Sequence, residues 1–269
     1  MSASLRFTIP SKMNPMPVAP TSSTPERVSK LLAAKGLCSR REAAAFIKRG
    51  WVLLDGRPVT ETGAKAFPGQ DIRLAKPAER EQEHTVTIIL NKPPGFSVGA
   101  PEAGYPDANT LIRPPNQMRL PGEPGLTGAH IRGLAPAGRL DLSTRGLMVY
   151  TQDGRVARRL LGHGPEAETK PIEKESLIRV EGGLSRGAFN RLRAGVAMDG
   201  RLVKPMVLEW VNADQIRLVI NETGHRQVWR LFEAVRAHVT GVKRVRIGGV
   251  KLGGLPSGKW RCLRHGEHF

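Results

Sequence analysis

Near the start of the chain, apolar residues recur at helical spacing twice before giving way to short extended runs. Thr24-Pro25 pairs an N-cap residue with proline at the first helical position, Val28, Leu31 and Leu32 follow at helical spacing, and Lys35-Gly36 closes the run, so a helix is predicted over 24–35. Ser39 with Glu42 three positions later forms a capping box, which starts a second helix that ends at Arg49-Gly50 and buries Ala43, Phe46 and Ile47. The apolar runs 51–54 and 58–59 flank Asp55-Gly56, a dipeptide suited to a tight hairpin turn, and a further strand over 71–74 follows a Pro68-Gly69 turn. Residues 76–84 are polar, contain Pro77, and read as a linker.

Beyond residue 85 the period is that of strands. A buried strand over 86–90 ends at Asn91-Lys92-Pro93-Pro94-Gly95, and 100–136 is rich in Pro and Gly, predicting long loops. At 138–154, GRLDLSTRGLMVYTQDG, the step Arg139-Leu140-Asp141 enters a Ser-Thr-Arg-Gly turn. Leu147, Val149 and Thr151 then alternate up to Asp153-Gly154, a turn–strand–turn pattern that sets Asp141 at the mouth of a sheet. Asp153 caps a short helix over 154–161 closed by Gly162; a strand over 174–180 and a short helix over 188–193 come next. Strands at 205–210 and 215–221 flank Asn212-Ala213-Asp214, 222–238 turns into a helix, and 243–263 holds two strands around Gly253-Gly254-Leu255-Pro256. The fold class is α+β: a leader at 1–24, a small helix–helix–hairpin domain at 25–76, a linker at 77–84, and a large domain at 85–269 built on a mostly antiparallel sheet.

Charge changes this picture most. The 269 residues carry 42 Lys+Arg against 24 Asp+Glu, a net charge of +18, which points to a polyanionic partner, most often nucleic acid. Arg27, Lys30, Lys35, Arg40, Arg41, Lys48 and Arg49 decorate the two N-terminal helices. Arg40 and Arg41 lie in the first turn of the second, where free N–H groups favour phosphate; the plain alternative is a solvated helix face. No apolar run approaches the ~18 residues of a membrane span. Cys38 and Cys262 are far apart without zinc spacing, so neither metal nor disulfide is expected and a reducing compartment fits. The leader carries only Arg6 and Lys12 as charges; a cytoplasmic protein is expected, an organelle transit peptide being the minority reading.

Asp141 is the best single candidate for a chemical residue, although an isolated Asp after a turn more often caps it. Arg139 has a salt-bridge role as its plain alternative. His163, His225 and His238 lack partner spacing and read as structural or solvent-facing, and Trp51 and Trp210 read as core. Glu102, Asp107, Asp153 and Asp199 are scattered, which argues against a metal-dependent nuclease.

The helix–helix–hairpin pattern with its LCSRREAA segment resembles the S4 RNA-binding domain, which implies binding to structured RNA. NKPPG at 91–95, GRLD with Thr144, Gly146 and Leu147, KES at 174–176, RQVWRL at 226–231 and LPSGKWRCL at 255–263 occur in the order seen in the RsuA/RluB/RluE/RluF family of ribosomal RNA pseudouridine synthases. The stretch from Ala108 through Ile112, with Asn116-Gln117, is similar to the RluF-like side of that family.

The resemblance implies isomerisation of a flipped uridine in ribosomal RNA, of the large subunit or its precursor, by a monomer without cofactor or metal. It implies Asp141 as nucleophile, with Leu140 beside it, Arg139 holding RNA, and Lys92, Arg226 and Arg230 as further RNA contacts. Two positions depart from the family. Ser176 stands where the family has a base-stacking tyrosine, and Trp229 where it has an Arg or Lys that pairs with the aspartate; Thr223-Gly224-His225 also alters a GRN-like element. Two readings follow: an active synthase in which Trp229 supplies the stacking surface, or a synthase-fold RNA-binding or ribosome-assembly factor.

Overall fold

A computed structural model describes residues 24–99, 102–119, 125–126, 128–163, 171–221 and 226–269. Residues 1–23 of the leader and Thr223-Gly224-His225 lie outside the described residues. The N-terminal module runs β1 (Glu26–Arg27), α1 (Val28–Ala34), α2 (Arg40–Lys48), β2 (Val52–Leu54), β3 (Arg57–Val59), β4 (Lys65–Ala66), β5 (Ile72–Leu74) and α3 (Lys76–Glu83). Its core joins Val28, Leu31 and Leu32 of α1 to Ala43, Phe46 and Ile47 of α2 and to Val52 and Ile72.

The Ser39–Glu42 capping box is present, with Glu42 N donating to Ser39 Oγ at 3.2 Å and Ser39 N donating to Glu42 Oε2 at 2.7 Å. Asp55 and Gly56 adopt positive φ of 49° and 78°, the turn that the right-handed twist of β2 and β3 requires. Two expectations change. Helix α1 begins at Val28, because Glu26 and Arg27 pair with Ala66 and Lys65, and that extended pairing overrides the Thr24-Pro25 start signal. The expected linker is the helix α3: Pro77 sits in its first turn, where no N–H is needed, and buried Gln82 donates to Leu37 O at 2.9 Å.

The larger module contains β6 (Thr87–Lys92), α4 (Gly128–Ile131), β7 (Ala135–Pro136), β8 (Arg145–Thr151), α5 (Gly154–Leu160), β9 (Lys174–Val180), α6 (Arg186–Ala194), β10 (Val196–Met198), β11 (Arg201–Val203), β12 (Val207–Trp210), β13 (Gln215–Ile220), α7 (Gln227–Glu233), β14 (Val239–Ile247), β15 (Val250–Lys251) and β16 (Trp260–Cys262). The main sheet has the order β12-β13-β9-β14-β8-β6-β16, with β15 on β14 and β7 on β8. Every pairing is antiparallel except β14 with β8. The two tail strands do not pair with each other: β16 adds to the β6 edge, where Trp260 is fully buried. The hairpin β10–β11, turning on Asp199-Gly200, was not expected; its turn residues have φ of 51° and 74°.

Strand β8 carries the chain's central motif. Leu147 and Val149 pack on one face with Ile89 and Leu160, and Met148 and Tyr150 on the other with Ile88, Leu90 and Trp260. Both faces are therefore buried, so the expected in-and-out alternation becomes a continuous apolar run. At the parallel step Gly146 faces Arg244 so closely that a Cβ would lie 2.2 Å from Arg244 O, at a φ of 107°. Only glycine fits there.

Candidate active site

The loop ahead of β8 is fixed from both sides. Ala137 N donates to Val149 O at 2.9 Å, Thr144 N donates to Asp141 O at 3.1 Å, and Gly95 N reaches over from the β6 loop to Leu142 O at 2.9 Å. Leu140 is buried in the core behind the turn, which leaves Asp141 half-buried and Arg139 exposed on the other side. These residues form one wall of a cleft of about 520 Å³. Lys174 and Ser176 of β9, Val242 and Arg244 of β14, and Arg226, Val228 and Trp229 at the start of α7 form the others.

Residues distant in sequence thus converge on one site. Asp141 is the sole carboxylate among the cleft-lining residues, against four cations, Arg139, Lys174, Arg226 and Arg244. Trp229 is the sole aromatic among them. Its indole Nε1 donates to Thr144 Oγ1 at 2.8 Å, tying α7 to the turn that carries Asp141. Ser176 is buried in the β9 wall of the same cleft. Arg226 opens α7 in the left-handed region, at a φ of 54°.

Two candidates for contacting a ligand are engaged elsewhere. Lys92 is fully buried, and its Nζ donates to Pro93 O at 3.0 Å, Phe96 O at 2.9 Å and Leu142 O at 3.4 Å. It is a strut between the β6 loop and the Asp141 turn, not a surface cation, because strand β6 continues through it into the core. Arg230 makes a bidentate pair with Asp199 at 2.7 Å on each arm, next to the β10–β11 turn. On the N-terminal module Arg27, Lys30, Arg40, Arg41, Lys48 and Arg49 are all exposed; Lys30 pairs with Glu26 and Arg49 with Glu81. Trp51 is partly buried beneath the Arg49 guanidinium, 4.8 Å from its centroid, and Trp210 stacks on Phe189 at 6.0 Å.

Arg244 and Lys174 were missed by sequence reasoning. Arg244 is 3% exposed, with Nε donating to Leu147 O at 2.9 Å. The signal was its place two residues after Val242, since both are buried and line the cleft.

Burial pushes the Lys92 ammonium down to about 8, while the nearby Asp141 and Glu102 carboxylates act in the opposite direction. The folded value lies below the unfolded value of about 10.4, so between these limits the unfolded chain binds more protons and stability rises with pH. Denaturant unfolding of wild type and Lys92→Met is expected to show wild type gaining on the variant through that window and a flat difference below it. A constant difference throughout would contradict the buried strut.

Comparison with known proteins matches these features. The S4 domain family model matches residues 26–72. The dual-specificity RNA pseudouridine synthase RluF of Escherichia coli is 31% identical over 245 residues, which span 90% of this chain and 76% of that protein. An uncharacterized RNA pseudouridine synthase of Aquifex aeolicus is 30% identical over 247 residues, 90% of this chain and 91% of that one. The ribosomal small subunit pseudouridine synthase A of Escherichia coli is 30% identical over 247 residues, 90% of this chain and 97% of that protein. A crystal structure of a pseudouridylate synthase superposes with a TM-score of 0.58 at 24% identity, covering 89% of this chain and 96% of that chain; it shares the fold.

Proposed function

This chain belongs to the RNA pseudouridine synthases, and from that premise we infer that it isomerises a uridine of ribosomal RNA with Asp141 as nucleophile. The single observation that carries the assignment of Asp141 is its position: a half-buried carboxylate, alone of its kind among the cleft-lining residues, in a ring of cations. In the reaction the C1′–N1 bond of the nucleotide breaks and a C1′–C5 bond forms, while C5 loses a proton and N1 gains one. Nothing is oxidised or reduced. A carboxylate attacking the base or the sugar divides this exchange into two easier steps. The surrounding guanidinium and ammonium groups attract the phosphates next to the target.

Reaching C1′ requires the nucleotide to leave its stack, and a cleft of about 520 Å³ is large enough to receive a base. Trp229, the sole aromatic among the cleft-lining residues, offers its face to that base. The indole is held by Thr144, so removing that hydrogen bond should loosen the face without removing it. Trp229→Phe and Thr144→Val are each expected to slow single-turnover isomerisation by about five- to tenfold, near the ~1 kcal/mol of one hydrogen bond. The double variant should be no worse than either single one, and additive losses would contradict the coupling.

The substrate is proposed to be large-subunit ribosomal RNA or its precursor, and the acting species a monomer. Purified protein should be incubated with unmodified ribosomal RNA of both subunits, followed by carbodiimide primer extension. A new stop at one large-subunit site is the expected result. A stop in the small subunit would correct the substrate, and no stop at stoichiometric protein would favour an RNA-binding assembly factor.

A further inference from the structure

Helix α5 leaves the sheet directly after β8 and places Arg155, Arg158 and Arg159 within seven residues. Its first residue meets the N-terminal module. Gly154 N donates to Glu42 Oε1 at 3.3 Å, and the other oxygen of Glu42 caps α2. A Cβ on Gly154 would lie 2.1 Å from Glu42 Oε2 and 2.3 Å from Ser39 Cβ, so the starts of α2 and α5 abut without room for a side chain. At its other end Leu160, together with the following Leu161, lines the cleft. One short helix therefore connects the start of α2 to the reaction site.

Several arginines of the protein are already engaged by carboxylates. Arg217, Arg230, Arg246 and Arg261 each hold a carboxylate, and in α5 Arg155 holds Asp153 at 2.8 Å. Arg40, Arg41, Arg158 and Arg159 have no carboxylate partner among the described residues. Arg158 Nε is buried without a hydrogen-bond partner among the described residues. The contact of Gly154 with Glu42 and Ser39 sets the first turn of α5 beside the start of α2. Arg40, Arg41 and Arg159 are exposed, so an anion from outside can reach them.

We propose that Arg40, Arg41, Arg158 and Arg159 form one continuous phosphate-binding ridge, which carries the RNA backbone from the N-terminal module along α5 to the cleft. The inference rests on RNA being the substrate. The Glu42–Gly154 joint fixes the distance between the two halves of the ridge, so a single RNA engages both.

The test measures binding of a fluorescent large-subunit ribosomal RNA fragment as a function of salt, with all proteins in the Asp141→Asn background so that chemistry cannot intervene. Each lost phosphate contact lowers the slope of log Kd against log salt by about 0.7–0.9. Arg40→Ala/Arg41→Ala and Arg158→Ala/Arg159→Ala should each lower it by about 1.5, and the fourfold variant by about 3. The exposed Arg159→Ala alone, which leaves the partly buried Arg158 in place, should lower it by about 0.8. Arg193→Ala, on α6, should leave it unchanged. An unchanged slope in the α5 variants, with the Asp141→Asn parent binding normally, would overturn the ridge and leave the substrate reading intact. Failure of that parent to bind with salt dependence would overturn both.

Discussion

Replacing Gly146 with alanine is expected to destabilise the protein by about 4 kcal/mol or more and to lower Tm by about 10 °C. Two costs combine. At a φ of 107° an alanine is strained wherever it sits, and here its Cβ would also lie 2.2 Å from Arg244 O and 2.8 Å from Arg244 N. Those are backbone atoms of the adjacent strand, so no rotamer change relieves the clash. Relief requires β8 and β14 to separate at their parallel step, the sheet's join between the β6–β8 half and the β9–β13 half. A domain stable by about 5–15 kcal/mol loses a large share of that margin. Calorimetric unfolding checks it: a Tm within about 2 °C of wild type would mean that the two strands are not held this close. Because the same step carries the Asp141 turn on one strand and Arg244 on the other, loss of activity at low temperature should accompany the loss of stability.

Asp141→Asn is the opposite case, expected to change activity and spare the fold. The turn is closed by backbone atoms, Thr144 N on Asp141 O at 3.1 Å, and asparagine keeps the shape of the side chain. Stability should stay within about 0.5 kcal/mol of wild type. The rate should fall by at least about 10⁴-fold, near 5.5 kcal/mol of lost transition-state stabilisation, because an amide oxygen is a far weaker nucleophile than a carboxylate. RNA affinity should hold or rise slightly, since a negative charge has left a cationic cleft. A variant retaining a tenth of wild-type turnover would assign the nucleophile elsewhere.

The elements that proved legible are those whose signals are local. The capping box of α2, the Asp55-Gly56 hairpin, Asp153 at the head of α5 and the strand after GRLD each lie within a few consecutive residues, and the structure has all of them. The misread elements were decided by remote partners. Glu26 and Arg27 are extended because Lys65 and Ala66 lie beside them, α3 is helical because Gln82 and Ala78 find a core to pack on, and β16 pairs with β6 across some 170 residues of chain. The site divides in the same way. Asp141, Ser176, Arg226 and Trp229 were legible through motifs, and the fold brings them to one cleft. The burial of Lys92, the entry of Arg244 and the bond from Trp229 to Thr144 were not, because each depends on which strand lies beside which. The charge of +18 indicated a polyanion, but only the ion pairs show which arginines are already engaged and which are left along α5.

The most direct test of Asp141 as the nucleophile of an RNA isomerase uses ribosomal RNA transcribed with uridine tritiated at C5. Isomerisation replaces that C5–H bond with C5–C1′, so each turnover releases one tritium to water. Wild-type protein in excess over RNA is expected to release close to one equivalent from a single site, and Asp141→Asn, folded and binding the same RNA, to release none above background. Equal release by the two proteins, or no release by wild type bound to that RNA, would contradict the account.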